Sequence, residues 1–355
     1  MGYTVLNVGY PFAPVCPDTA GGAEQVLLTL DEYLHSNGHR SVVLACKESR
    51  VHGELRENPV PDGVIDDLSR LNVEKEYRSI IETLVGEESV DLVHFHGIDS
   101  ERYLPNVSVP VLITLHLPVS WYSSHIYNLN RPCTYFNCVS YNQLSTCRDL
   151  PNMLGVVENG VGIPEFPGKS VRGRYAVSMG RVCPEKGFHL AMDAARKAGV
   201  SILLAGKVYP YREHLDYFSE EILPRLDRNK CTFLGPVGPG RKYKVLSRAC
   251  CTLVSSSAPE TSSLVAMESF ACGTPVITFP SGALPEIVDH GKTGFVVNSP
   301  EQMAEAIQFV SSLDRRDCWL AARKRFSAQR MCRQYMKLYN SILNYSCGEK
   351  VNLAG

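Results

Sequence analysis

CTLVSSSAPETSSLVAMESFACGTPVI, residues 251–277, reads as a strand, a polar turn, a helix and the start of a second strand. The apolar run CTLV carries no turn residue, and Thr261, Ser262 or Ser263 can each cap the helix that follows. Gly273 stands where such a helix ends, with Pro275 just beyond it. A helix interposed between two strands makes the pair parallel, which points to an α/β fold. The helix then opens at the carboxyl edge of the sheet. Its first free N–H groups, around Ser263, Leu264 and Val265, form an anion site suited to a diphosphate. Glu268 lies a little over one turn inside, in reach of a ribose's two hydroxyls, and Glu260 precedes the helix, in reach of sugar hydroxyls. Either glutamate alone reads as a solvated residue; two at this spacing around a helix start weigh against that reading.

The same rhythm runs outward in both directions. Strand-like runs fall at Thr4 to Val8, Ser41 to Ala45, Val90 to Phe95, Val111 to Leu115, Phe136 to Val139 and Met153 to Val157. A second set falls at Tyr175 to Met179, Ser201 to Ala205, Cys231 to Leu234, Cys251 to Ser255, Pro275 to Thr278 and Gly294 to Val297. Helical patterns separate them. Between the sets, ENGVGIPEFPGKSVRG (residues 158–173) breaks both periodicities and reads as a linker. The expected architecture is two Rossmann-like, doubly wound domains facing a cleft, an amino-terminal one over residues 1–160 and a carboxyl-terminal one over 161–325. The remaining segment, 326–355, is expected to pack back on the first domain. Ligands in such sheets bind beyond the carboxyl ends of the strands.

Three further strand ends carry chemistry. In SMGRVCPEKGFHLAMDAARKAG (residues 178–199) Arg181 and Lys186 sit in the turn before a helix, where they can hold phosphates that gain charge as a bond breaks. A surface turn with two basic residues is an equally good reading of that segment alone. The turn from Pro11 to Glu24 places Gly21 and Gly22 before a helix, allowing close backbone approach to a ligand, and it does not match G-x-G-x-x-G. His94, His96 and His116 end strands in VHFHG and ITLHLPVSW; His94 is read as structural. No carboxylate or cysteine joins them at ligand spacing and the chain has no Asp-x-Asp, so no metal is expected.

Composition excludes several classes. The 355 residues exceed what one core usually organises. A formal net charge of -1 offers no field for nucleic acid. The start MGYTVLNVGYPF lacks a signal pattern, no apolar run is long enough to span a bilayer, and the 13 cysteines are scattered without C-x-x-C. Mostly reduced thiols and a cytoplasmic location are expected.

Taken together, the motifs resemble the retaining GT-B glycosyltransferases called family 4. The resemblance runs through GGAEQVLLTLDEYLHSNGHRSVVL, DLVHFHG, ITLH, VVENGVGI, MGRVCPEKG, FLGPV, ETSSLVAMESFACGTPVI and GALPEIVDHGKTGFVV, nearly the whole chain. By that resemblance Glu260 and Glu268 are the family's E-x7-E pair, on the donor sugar and the ribose. Arg181 and Lys186 are the basic pair on the diphosphate, Gly22 a backbone contact of the glycine loop, His116 the histidine reaching the donor sugar, and Val237 a backbone contact to the base. Where the family often has Phe-Gly, this chain has Ser262 and Ser263. The resemblance implies transfer of a hexose from a nucleotide diphosphate sugar, of the UDP-sugar or GDP-mannose type, to a hydroxyl acceptor, with retention and without metal or other cofactor. The acceptor is expected at first-domain loops near Asp18, His96, Asp99, Trp121 and Tyr122. A nucleotide-sugar epimerase or hydrolase on the same fold, or a non-catalytic sugar-nucleotide binder, are the alternatives; oligomeric state is not legible.

Overall fold

A computed structural model describes residues 2–19, 21–58, 67–106, 108–129, 131–147, 150–166, 168, 173–227 and 229–344. The chain divides into two compact units, Met1–Glu158 with Met331–Gly355, and Asn159–Arg330. The boundaries fall at 158/159 and 330/331, close to the linker and the terminal segment named above.

In the first unit seven parallel strands, β1 (Thr4–Val8), β2 (Arg40–Cys46), β3 (Glu54–Asn58), β4 (Leu92–Phe95), β5 (Val111–Leu115), β6 (Thr134–Cys138) and β7 (Met153–Val156), lie in the order β3-β2-β1-β4-β5-β6-β7. The central strands are buried and mostly apolar because helices cover both faces, with Asn7, His94, Thr114 and Asn137 as buried polar residues among them. On one face Val5, Leu92 and Leu112 pack against the helix Gly22–Ser36 and against Met331, Cys332, Tyr335, Leu338, Tyr339 and Ile342 of the helix Ala328–Asn344. Those last six residues recur at helical spacing, so the terminal helix supplies one continuous apolar stripe to this sheet. On the other face Tyr77, Ile81 and Leu84 of the helix Asp67–Glu87 meet Leu6, Val42 and Val93.

The second unit has six parallel strands, β8 (Tyr175–Arg181), β9 (Ser201–Lys207), β10 (Cys231–Phe233), β11 (Cys251–Val254), β12 (Val276–Thr278) and β13 (Gly294–Val296), ordered β10-β9-β8-β11-β12-β13. Strand order reverses beside the first strand of each sheet, between β1 and β4 and between β8 and β11. A reversal parts the loops above it, and a crevice opens there at the carboxyl ends of the strands.

Among the described residues eleven cysteines are free thiols, nine of them buried, and Cys133 is in a disulfide. No described helix is long and apolar enough to cross a membrane.

Candidate functional site

In the second unit the candidate side chains gather where the order reverses. Strand β8 extends through Arg181, so this residue ends the strand and does not sit in the turn beyond it, as the sequence suggested. Parallel pairing with β9 accounts for the difference, since it continues through the pair Arg181 and Lys207. The Arg181 carbonyl accepts from Cys183 Sγ at 3.7 Å, and among the described residues its guanidinium has no hydrogen-bonded or ion-paired partner.

A single helical turn, Pro184–Lys186, follows, and Gly187 starts the helix Phe188–Lys197 from a left-handed conformation, φ +60. The loop after β11 holds this turn in place: the Ser257 N–H donates to Glu185 O at 2.8 Å and Ser255 Oγ to Gly187 O at 2.7 Å. A Cβ on Gly187 would stand 2.3 Å from Ser255 O, so only glycine admits this approach.

That bracing sets Lys186 Nζ 2.5 Å from Glu260 Oε1, and Ser256 Oγ donates to the same oxygen. The Glu260 main chain is fixed in turn by Ala283 N–H, donating to its carbonyl at 2.7 Å. Gly282, at φ +59, makes this possible: its Cβ would lie 2.2 Å from Glu260 O.

Of the three candidate caps, Ser263 is the one used. Its hydroxyl accepts from Ala266 N–H at 3.4 Å, and the helix runs Leu264–Ala271, with Gly273 left-handed just past its end. The N–H groups of Leu264 and Val265 belong to the first turn and have no partner within the helix. The Ser262 hydroxyl is buried without a partner.

Glu268 is 4% exposed and ion-paired with Lys242 Nζ of the helix Pro239–Arg248. Burial pushes the Glu268 carboxyl pKa up, and the Lys242 charge pulls it back. Sequence reasoning missed Lys242, because a lysine in PGRKYKVLSR looks like any solvated one. It also missed Ser256 and Gly282. Val237, after β10, is half-buried beside Tyr243 and Val265.

In the first unit the histidines cluster above β4 and β5. His96 Nδ1 and His116 Nε2 are 3.1 Å apart with stacked rings, and the His94 ring lies 4.0 Å from that of His96. His94 is structural: its two nitrogens bond Tyr339 Oη at 2.8 Å and Thr114 Oγ1 at 2.7 Å. Burial holds all three rings neutral, His116 at about 3 and the others well below the usual value. One neutral ring of the His96–His116 pair therefore donates and the other accepts.

Two of the acceptor candidates are buried. His96 is 3% exposed and bonded to His116, with its Nε2 buried without a hydrogen-bond partner. Tyr122 is 6% exposed because its Oη accepts the N–H groups of His116 and Leu117 at 2.9 and 3.3 Å. Trp121 is exposed, Asp18 pairs with Arg50 at 3.2 Å, and Asp99 lies 3.6 Å from Arg70. Gly21 caps the helix that begins at Gly22, and a Cβ there would meet the Glu24 carboxylate.

Residues 163–328 match the model of the family "Glycosyl transferases group 1". An uncharacterized glycosyltransferase of Methanocaldococcus jannaschii is 27% identical over 256 residues, 67% of this chain and 69% of that one. The D-inositol 3-phosphate glycosyltransferase of Mycobacterium tuberculosis is 34% identical over 182 residues, 46% of this chain but only 37% of that protein. Among solved structures, an Anabaena protein in complex with UDP-glucose superposes with a TM-score of 0.74 at 17% identity, over 96% of this chain and 100% of that one. The two Rossmann-like sheets are those of GT-B glycosyltransferases.

Proposed function

We propose, from the premise that this chain is a glycosyltransferase of group 1, that it moves a hexose from a nucleotide diphosphate sugar to a hydroxyl with retention at the anomeric carbon and without a divalent cation. The observation that carries this reading is the grouping at the β8/β11 reversal. There Arg181, Lys186 bonded to Glu260, and the uncapped N–H groups of Leu264 and Val265 all rise from the carboxyl ends of two adjacent strands.

Each residue then has a task. The positive groups and the helix start stabilise the diphosphate as the bond from the anomeric carbon to its oxygen breaks. Glu268, held by Lys242, accepts from the ribose hydroxyls. Glu260 accepts from the sugar hydroxyls, and Ser262 and Ser263 line the phosphate turn, with Val237 beside the base. In the first unit Gly21 and Gly22 allow backbone approach, and neutral His116 hydrogen-bonds the donor sugar without placing a charge beside a developing cation. The acceptor oxygen bonds to the face the diphosphate leaves, and its proton passes to the departing phosphate oxygen. Asp18, Asp99 and Trp121 are the acceptor-side candidates. A UDP-sugar is the donor of choice, since the Anabaena neighbour was solved with UDP-glucose. Eleven free thiols among the described residues favour the cytoplasm, a reducing compartment, against the one disulfide at Cys133.

The test is a coupled assay of nucleotide diphosphate release with and without candidate acceptors, with the product's anomeric proton read by NMR. Acceptor-dependent release and a retained anomer are expected. Lys186→Ala should slow transfer at saturating donor by about 10²- to 10³-fold, the range for removing one transition-state donor. An unchanged rate removes the electrostatic assignment. Release that needs no acceptor makes the protein a hydrolase.

A further inference from the structure

Beside the turn that carries Lys186 lies a group of side chains that sugar transfer does not use. Cys183, Glu185 and His214 each bring one ligand atom to within 4.8 Å of the other two, and they are the only such trio of His, Cys, Asp or Glu among the described residues. They come from two places: the segment after β8 supplies the thiol and the carboxylate, and the helix Arg212–Tyr217, after β9, supplies the imidazole.

The burial of the trio is uneven in a useful way. Cys183 is 1% exposed and His214 9%, while Glu185 opens to solvent. His214 Nδ1 is buried with no hydrogen-bond partner, although buried polar atoms almost always have one. The ring is fixed around that atom, edge-on to Tyr211 at 5.2 Å and with its own main-chain N–H bonded to Tyr211 O at 3.0 Å. Burial also keeps the ring neutral, the form that ligates metal.

We propose that Cys183, Glu185 and His214 are a binding site for a thiophilic divalent ion of the zinc class, with a fourth position open to water. The spacing requires only a small contraction: bonds of about 2.0–2.3 Å in a tetrahedron put ligands about 3.3–3.8 Å apart. Arg181 acts on all three groups and opposes a cation. A thiolate and a carboxylate together outweigh that single charge, and the sulfur selects zinc over magnesium or calcium. On binding, the Cys183 thiol proton passes to solvent and the sulfur–metal bond replaces it. The ion joins the Pro184–Lys186 turn to the helix Arg212–Tyr217 and stands outside the transfer chemistry, so the site exists whether or not the reading of that chemistry is right.

The test is titration of the full chain with cobalt(II), which reports a thiolate ligand by a charge-transfer band in the near ultraviolet. One equivalent should raise the band, and zinc should remove it by displacement. Cys183→Ser should abolish it, while Glu185→Gln and His214→Gln should each weaken cobalt binding by about tenfold or more. Cys250→Ser, at a thiol outside the trio, should leave the band intact. No band, a band that survives Cys183→Ser, or an affinity unchanged in Glu185→Gln overturns the proposal. Glu185 is exposed, so that last variant folds even if the others do not, and none of these readouts depends on transferase activity.

Discussion

At the scale of single residues, the three neutral histidines of the first unit tie stability to pH. Their folded pKa values are depressed, His116 to about 3, whereas an unfolded histidine titrates near 6.5. Between those values the unfolded chain binds more protons than the folded one, so stability is complete above about pH 6.5 and is lost as the pH falls below it. Each ring contributes up to about 1.4 kcal/mol per pH unit in that window. Chemical denaturation at pH 7.5 and 5.5 should therefore show a marked loss at the lower pH, and His116→Gln should shrink that loss. An equal loss in the variant would mean that His116 is not held neutral by the fold.

At the scale of elements, Gly187 is the joint on which the turn carrying Lys186 depends. Its left-handed φ and the 2.3 Å approach to Ser255 O leave no room for a methyl group. Gly187→Ala should cost about 1–3 kcal/mol, from the strained backbone alone, and should weaken donor binding by moving Lys186. Thermal melts with and without nucleotide diphosphate read both effects; a variant with unchanged melting temperature and ligand shift removes the argument. The elements themselves were largely legible. Twelve largely apolar runs foretold twelve strands, because a strand buried on both faces is built mainly of apolar residues. The exception is β3, whose ELREN is half-exposed and charged, since an edge strand needs no apolar face. Candidate residues were readable from the sequence where they stand at or just past a strand end, as Arg181 and His116 do, or in the loop after one, as Glu260 does. Lys242 was not, because its partner Glu268 is distant in sequence and no local pattern links them. The meeting of Cys183 with His214 escaped notice for the same reason: only the sheet brings them together.

At the scale of the whole molecule, the proposed function takes the charge for a diphosphate from the fold itself. The chain is nearly neutral overall, yet the second unit concentrates Arg181, Lys186 and a helix start at one strand-order reversal. After exhaustive treatment with EDTA, transfer should therefore gain nothing from added magnesium or manganese. Loss of activity in EDTA, restored by either of those ions, overturns the metal-free reading. The terminal helix Ala328–Asn344 has a consequence of another kind. It completes the first unit's sheet from the far end of the chain. On the ribosome, therefore, the unit that begins first finishes last: 330 − 158 = 172 residues must emerge after Glu158 before the covering stripe arrives. At about 5–20 residues per second that is roughly ten to thirty-five seconds with Val5, Val26, Leu30 and Leu112 lacking part of their cover. The nascent amino-terminal half is thus the stage of this protein's life at which a chaperone has most to protect.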